Sequence, residues 1–327
     1  MATILVTGGA GYIGSHACKL LKAAGHVPVT FDNFRTGWRE AVKFGPLVEG
    51  DLLNPDDLSR AFSEHKPDAV MHFAALSLVG ESAARPELYW RNNVVGSMNL
   101  LDAMLAAGCR SLVFSSTCAT YGEAEEEVIT EAHPQKPINV YGRSKLAMER
   151  MIKDYVAAHD LNAVTFRYFN VAGADPEAEI GEHHVPETHL IPNMLDAVAG
   201  DGPDLTVFGD DYPTPDGTCI RDYLHVMDLA DAHVRGVEHL MAGGEALTLN
   251  LGTGHGFSVR EVIDAARAVT NREVPHKIGP RRVGDPPKLV SGSVLAEEKL
   301  GWRLDRSTMP QIIADAWRWR ATGLYKA

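Results

Sequence analysis

The sequence predicts an α/β fold: a doubly wound parallel sheet carrying a smaller, loop-rich α/β lobe. Three observations point to it. Short β-rich runs alternate with amphipathic stretches through the first half of the 327 residues. A glycine-rich turn joins the first run to the first amphipathic stretch. After Asn170 the alternation breaks off into segments crowded with Gly, Pro, Asp and His. Strand–helix alternation marks parallel strands joined by crossover helices, and the ligand crevice of such a sheet opens at the carboxyl ends of its strands.

Taken in order, strands are expected at Thr3–Thr7, Val27–Phe31, Leu47–Glu49, Ala69–Phe73, Leu112–Ser115 and Val164–Arg167. Each is rich in β-branched or other apolar residues and bounded by turn formers. Helical periodicity lies between them, at Gly14–Ala24, Pro55–His65, Asn92–Ala107 and Ser144–His159. Ala172–Thr188 and Gly200–Thr218 read as loops. Regular elements return as a helix over Tyr223–Leu240, a strand over Leu247–Leu251 and a helix over Ser258–Thr270, with final helices over Val294–Leu300 and Met309–Thr322. The division this suggests is a nucleotide domain over residues 1–170, to which the chain returns at about 219–252, and a second lobe from 171–218 and 253–327.

Hydrophobic residues make up 45% and charged ones 23%, ordinary values for a globular protein. The formal net charge of -12 argues against nucleic acid as a partner, because nucleic-acid binders carry a basic patch or stripe. A small anion held by a few local cations stays compatible with it. No run approaches the roughly 18 apolar residues of a membrane span. Met1–Leu5 has no basic segment before it and leads straight into the glycine turn, so it reads as a first strand and not a leader. Cys18, Cys109, Cys118 and Cys219 show no paired spacing, as expected of reduced thiols in the cytoplasm.

The turn after the first strand reads Thr7-Gly8-Gly9-Ala10-Gly11-Tyr12-Ile13-Gly14. Its G-x-x-G-x-x-G spacing is a Rossmann-like fingerprint shifted by one residue. Gly8 and Gly11 let backbone approach a pyrophosphate, and the helix that opens there supplies free N–H groups and a favourable dipole. Asp32 ends the second strand, where a carboxylate accepts from ribose hydroxyls and repels a 2′-phosphate, so NAD is expected over NADP. Asp51, after the third strand, is placed to reach the adenine amino group.

Tyr141 and Lys145 stand four apart and share one helix face. A free tyrosine has a pKa of about 10; bringing it near 7 takes about 4 kcal/mol. A positive charge at about 4 Å, at an effective dielectric near 20, supplies about that amount. Lys145 is therefore the expected activator of Tyr141 as a base, with an oxidised nicotinamide as the second cation, because desolvation works against both. Phe114-Ser115-Ser116-Thr117 ends a strand on the crevice side, and the Thr117 hydroxyl is the expected proton relay.

These motifs resemble the extended short-chain dehydrogenase/reductase family that acts on nucleotide sugars. The resemblance rests on Thr7–Gly14, Asp32-Asn33, Phe73-Ala74-Ala75, Asn92-Asn93, Ser115-Ser116-Thr117 and Tyr141-x-x-x-Lys145. It extends through Tyr168-Phe169-Asn170, Phe208-Gly209, Arg221-Asp222-Tyr223 and Arg281-Arg282-x-Gly284-Asp285, which are similar to the branch that epimerises UDP-sugars. It implies reversible C4 epimerisation of a UDP-hexose through a 4-keto intermediate, with tightly held NAD, in a homodimer. The implied cofactor residues are Gly8, Gly11, Tyr12, Ile13, Gly14, Asp32, Asn33, Asp51, Leu52, Phe73, Ala74, Ala75, Asn93, Ser115, Tyr141, Lys145 and Tyr168. The implied substrate residues are Thr117, Asn170, His189, Leu190, Phe208, Arg221, Arg282, Asp285 and Leu289. Among these, Asn170 holds the diphosphate or sugar, Phe208 packs near the uracil, Arg221 and Arg282 clamp the diphosphate, and Asp285 accepts from the uridine ribose. Paired guanidiniums suit phosphate oxygens, and they reconcile an acidic protein with an anionic ligand.

Ser77 and His189 occupy positions that are often lysine and asparagine in that branch, and Thr117 replaces the commoner serine while keeping its hydroxyl. Leu289 stands where the family gates the sugar pocket, which leaves UDP-pentose and UDP-N-acetylhexosamine as alternative substrates. Sugar-nucleotide dehydratases place an Asp-Glu pair after the threonine; here those positions are Cys118 and Ala119, without an acid and base for water elimination. A non-catalytic NAD-sensing protein on the same fold would be expected to lack Tyr141 or Lys145. Glu182, His183, His184, Glu187 and His189 are metal-ligating types, but they fall in a turn-rich segment without an H-E-x-x-H helix, so no metal is expected there. Trp317 and Trp319 are expected to pack on the core.

Overall fold

The computed structural model describes residues 1–123, 127–282, 285–323 and 325. Residues 283–284, inside the Arg281–Asp285 motif, lie outside it. Seven strands form one parallel sheet. Six come in the first half: β1 (Thr3–Thr7), β2 (Val27–Asp32), β3 (Leu47–Glu49), β4 (Ala69–His72), β5 (Ser111–Ser115) and β6 (Asn162–Tyr168). The seventh, Leu247–Leu251, pairs beside β6, so the order across the sheet is Leu247–Leu251, β6, β5, β4, β1, β2, β3. The strand order reverses beside β1, and this switch point opens the ligand crevice.

Alternation along each strand feeds two cores. Ile4 and Val6 of β1 join Met71, Val113 and Phe166 on one face, under α1 (Tyr12–Ala23) and the helix Val226–Met241. Leu5 joins Val29, Phe31, Val70, Leu112 and Phe114 on the other, under α2 (Pro55–His65) and the helices Gly96–Ala107 and Val140–Ala158. With both faces covered, the strands are continuously apolar and not alternating, as parallel sheets require.

The second lobe packs Leu190–Ala199, Val259–Thr270 and Met309–Arg320 around Ile191, Met194, Val262, Ile263 and Ile312. Its strands are short: Leu205–Phe208 pairs with His276–Gly279, and Ile220–Arg221 lies between Phe257–Ser258 and Lys288–Leu289. The helix expected over Tyr223–Leu240 starts only at Val226. Tyr223–His225 is a strand paired in parallel with Asn170–Ala172, and the His225 side chain accepts from the Met227 N–H to cap the helix. Among the described residues no helix is long and apolar enough to cross a membrane.

Candidate active site

The glycines of the first turn are held by close packing. Gly8 has φ +74°, and a Cβ there would lie 2.7 Å from the Ala74 nitrogen; a Cβ on Gly14 would lie 2.1 Å from the Gly8 carbonyl oxygen. Only glycines let β1, α1 and the loop after β4 close together here. Gly11 caps α1 with no side-chain acceptor, and the first turn of α1 carries no acidic residue. Its N–H groups line the cleft and are left for an anion, so a dinucleotide pyrophosphate fits this cradle.

Asp32 closes β2 at the edge of the same cradle. Its Oδ2 accepts from the Ala10 N–H at 3.0 Å and its Oδ1 from the Phe34 N–H at 2.8 Å. Burial raises its pKa while these donors oppose the rise. The carboxylate is fixed, with lone pairs left for ribose hydroxyls. Asp51 accepts from the Asn33 amide at 3.0 Å and the Leu53 N–H at 2.8 Å, and Asn33, Asp51, Leu52, Phe73, Ala74 and Ala75 all line the cleft. Asn93 does not. It is fully buried, and its amide is spent on the Leu76 backbone and the Ser144 hydroxyl. Its neighbour Asn92 faces the cleft instead, because Trp90–Val95 is a π-helical turn that re-aims the side chains around it.

The side chains expected to be catalytic come together where β5 meets the helix Val140–Ala158. Asn139 caps that helix by accepting from the Gly142 N–H at 2.8 Å, which puts Tyr141 in its first turn and Lys145 one turn on. A Cβ on Gly142 would lie 2.5 Å from the Ala119 carbonyl oxygen, so a glycine between the pair lets the helix end press against Thr117–Ala119. There the Thr117 hydroxyl faces the Tyr141 phenol and favours its ionised form. The same oxygen accepts from the Ala119 N–H at 3.1 Å, so Thr117 is also the cap of a short helical turn. Burial pushes the Tyr141 phenol up to about 12, with the Thr117 hydroxyl opposing. Burial likewise pushes Lys145 down to about 7, against the pull of Glu149. Lys145 Nζ donates to the Ser115 carbonyl at 2.8 Å, so this contact and not a direct bond to Tyr141 fixes the ammonium. The Ser115 hydroxyl is taken by Tyr168.

Behind this group lies a buried network that sequence reasoning missed. Glu149 receives the Ser116 hydroxyl at 2.5 Å and a two-pronged Arg167 at 3.0 and 2.6 Å. Arg167 also donates to the Tyr121 hydroxyl at 2.8 Å, which in turn donates to Asn250 at 2.6 Å. The available signal was the Lys145/Glu149 spacing of four on one helix face.

Asn170, His189, Leu190, Phe208, Arg221, Arg282, Asp285 and Leu289 line the same cleft as Thr117, so the fold brings every expected substrate residue to one cavity of about 1260 Å³. A drug-sized ligand pocket is about 300–1,000 Å³, so this one has room for two ligands end to end. Two pairings qualify the expected division of labour. Arg221 is bonded to Asp285 and to the Pro286 carbonyl, so both groups meet the ligand already engaged with each other. The Arg282 guanidinium lies 4.0 Å over the Phe208 ring, covering one face of the aromatic expected beside the uracil. Leu289 packs with Phe169 against Cys118 and Tyr121, at the Thr117 end.

Glu182, His184, Glu187 and His189 also line the cleft, and the turn-rich segment gathers their ligand atoms within 4.8 Å of one another. Burial works against charge here, yet Glu182 and Glu187 carry His184 up to about 9 and His189 up to about 10. The indole of Trp319 donates to the Glu182 carbonyl at 3.0 Å and that of Trp38 to the His183 carbonyl at 2.9 Å.

The profile of the NAD dependent epimerase/dehydratase family matches residues 4–252. A UDP-glucose 4-epimerase of Rhizobium leguminosarum bv. trifolii is 50% identical over 98% of this chain and 97% of its own. The crystal structure of a UDP-glucose 4-epimerase from Brucella ovis in complex with NAD superposes with a TM-score of 0.95 at 50% identity, covering 97% of this chain and 98% of that one. A UDP-glucose-4-epimerase from Stenotrophomonas maltophila, with bound NAD and formylated UDP-arabinopyranose, gives 0.95 at 40% identity, covering 99% of each chain.

Proposed function

The chain belongs to the NAD dependent epimerase/dehydratase family, and we propose that it inverts C4 of a UDP-hexose, interconverting UDP-glucose and UDP-galactose. The observation that carries this reading is the convergence of Thr117, Tyr141 and Lys145 in one cleft. On one side of it lies the pyrophosphate cradle of α1, and on the other the Arg221, Phe208 and Arg282 wall.

Bound in the cradle, NAD supplies the hydride acceptor and donor at the sugar C4. Tyr141 takes the C4 hydroxyl proton, with Thr117 as the relay, and returns it after inversion. Lys145, held by the Ser115 carbonyl, stabilises the phenolate. Arg221 and Arg282 grip the UDP diphosphate, and Asn170 steadies its sugar end. Gripping the nucleotide leaves the hexose free to turn, so the 4-keto sugar can offer either face. In this reading the cradle with Asp32 serves the cofactor and the lobe around Leu190–Ala199 serves the UDP-sugar.

Water elimination is disfavoured by the chemistry after Thr117. Burial pushes the Cys118 thiol well above its ordinary value, and its Sγ lies 3.8 Å from the Ser291 hydroxyl in a closed packing. Incubating the purified protein with UDP-glucose, without added cofactor, should yield UDP-galactose, and denaturing it should release NAD and not NADP. A product lighter by one water, or a stoichiometric 2′-phosphorylated cofactor, contradicts the reading.

Leu289 sets the expected substrate preference. It is branched and lines the cleft near Thr117, so an N-acetyl group at C2 must displace it. Overpacking of this kind costs about 1–3 kcal/mol, or roughly ten- to a hundredfold in kcat/KM. UDP-galactose should be preferred over its N-acetyl counterpart by that margin, and Leu289→Ser or Leu289→Cys should narrow the gap. Equal values in the wild type would remove Leu289 as the gate.

The assembly that fits is a homodimer. Trp90, Val95 and Met98 are each about 40% exposed, and Trp90 borders an open groove with Leu146, Met151 and Tyr155. Lys136, Arg143, Arg150 and Asp154 rim the groove, and exposed apolar side chains with a polar rim suit a protein–protein contact.

A further inference from the structure

The four ligand types in the turn-rich segment are arranged more like a metal centre than like two ion pairs. His184 and His189 both turn Nδ1 inward, toward the carboxylates of Glu182 and Glu187. His189 Nδ1 lies 3.0 Å from Glu182 Oε1 and 2.8 Å from Glu187 Oε1; His184 Nδ1 lies 3.5 Å from Glu182 Oε1 and 3.4 Å from Glu187 Oε2. Charge-assisted N–H···O bonds run at about 2.7–2.9 Å. The His184 contacts are too long for that, and its buried Nδ1 has no hydrogen-bond partner. A tetrahedral ion bound at about 2.0–2.2 Å needs ligand atoms about 3.3–3.6 Å apart; the His184 contacts at 3.5 and 3.4 Å already have that spacing, and the His189 contacts at 3.0 and 2.8 Å have only to open slightly.

The frame around them is already fixed. Glu187 Oε1 accepts from the Thr188 and His189 N–H groups at 2.7 and 2.8 Å, so its other oxygen is left facing His184. The Glu182 side chain is 6% exposed, and the backbone beside it is pinned by the indoles of Trp38 and Trp319. The Tyr12 ring stands edge-on against His184, 6.3 Å between centroids. Orienting contacts of this kind accompany real metal ligands as closely as the ligands themselves. The absence of an H-E-x-x-H helix, which argued against metal from the sequence, is therefore no obstacle, because the helix start at Leu190 and the loop before it supply the same convergence.

We propose that Glu182, His184, Glu187 and His189 form a binding site for one divalent transition-metal ion of the zinc class. Two imidazoles with two carboxylates suit zinc or cobalt over magnesium or calcium, which prefer all-oxygen shells. The ion ties the loop to the first turn of Leu190–Ala199 and so stiffens the wall of the cleft beside His189 and Leu190.

The test uses the full-length, NAD-loaded protein after dialysis against a chelator, with no nucleotide sugar present. Titration with Co²⁺ should produce one equivalent of a tetrahedral visible absorption band, displaced by Zn²⁺. Zinc at about a hundredfold above its Kd should raise Tm by about 5 °C. His184→Gln and Glu187→Gln should each weaken zinc binding by more than about a hundredfold, since even outer-shell losses cost ten- to a hundredfold. Circular dichroism and retained NAD report that the variants are folded, and the cobalt spectrum of the wild type decides the question should they not be. No tetrahedral band in the wild type overturns the site. So does a stoichiometry and Kd that folded His184→Gln shares with the wild type, which would mean an adventitious ion only.

Discussion

Tyr141→Phe should lower kcat by about a thousandfold while leaving the fold and the NAD content unchanged. A positioned general base contributes roughly 10²–10⁴-fold, and the phenol is the group that the Thr117 hydroxyl meets. Phenylalanine keeps the ring in its first-turn position and removes only the oxygen. Lys145→Met should cost a comparable factor for a different reason, and the pH–rate profile separates the two. The phenolate is the active form, so activity rises as pH climbs through the tyrosine pKa. Burial pushes that pKa up; the lysine cation is the group expected to bring it back down in the NAD-bound site, so deleting it should raise it. The acid limb should therefore move to higher pH in Lys145→Met, with part of the lost activity recovered in alkali. In Tyr141→Phe the loss should be the same at every pH. Near-normal turnover by Tyr141→Phe at pH 7 would remove Tyr141 as the base.

The sheet and the cradle were legible because both are local. Short apolar, β-branched runs and a glycine turn state β1–β6 within a few residues each, and Gly14 is required by its contact with Gly8 inside the turn itself, while Gly8 is required by the later approach of Ala74. The second lobe was less legible because its strands Ile220–Arg221, Phe257–Ser258 and Lys288–Leu289 are two residues long and have no period to read. Tyr223–His225 is a strand only because Asn170–Ala172, far away in sequence, offers it a ladder. Leu190–Ala199 escaped notice because it is apolar on most sides and carries Pro192 in its first turn. The site divided the same way. Tyr141, Lys145 and Thr117 follow from spacing and strand ends. Asn93 is buried behind the cleft wall while Asn92 lines it, and the π-helical turn over Trp90–Val95 is not a feature that a 3.6-residue period can foretell. The Arg221–Asp285 pair and the Glu182–His189 cluster depend on loop closure, which no local pattern encodes.

The buried Glu149–Arg167 pair behind the catalytic group should carry the largest stability effect in the molecule. Both side chains are nearly sealed, 2% and 4% exposed, and bonded in two prongs. Arg167→Met removes one partner and leaves a carboxylate in a closed interior, where breaking a buried pair costs about 3–5 kcal/mol. At roughly 2–4 °C per kcal/mol for a chain of this class, Tm should fall by about 6–20 °C. Replacing both partners tells desolvation apart from packing. Glu149→Met with Arg167→Met removes both charges of the pair together, and such replacements are often neutral or better, so the double variant should recover most of the lost Tm. The cost of the pair is then strongly non-additive, as expected for residues in direct contact. Its activity should stay impaired, because Ser116 loses its acceptor next to Thr117 and Lys145 loses the carboxylate that favours its charged form. Stability that returns while kcat does not would mark the pair as positioning the Thr117–Lys145 group. A double variant no more stable than Arg167→Met would show instead that the volume and hydrogen bonds around Tyr121 and Gln135 carry the effect.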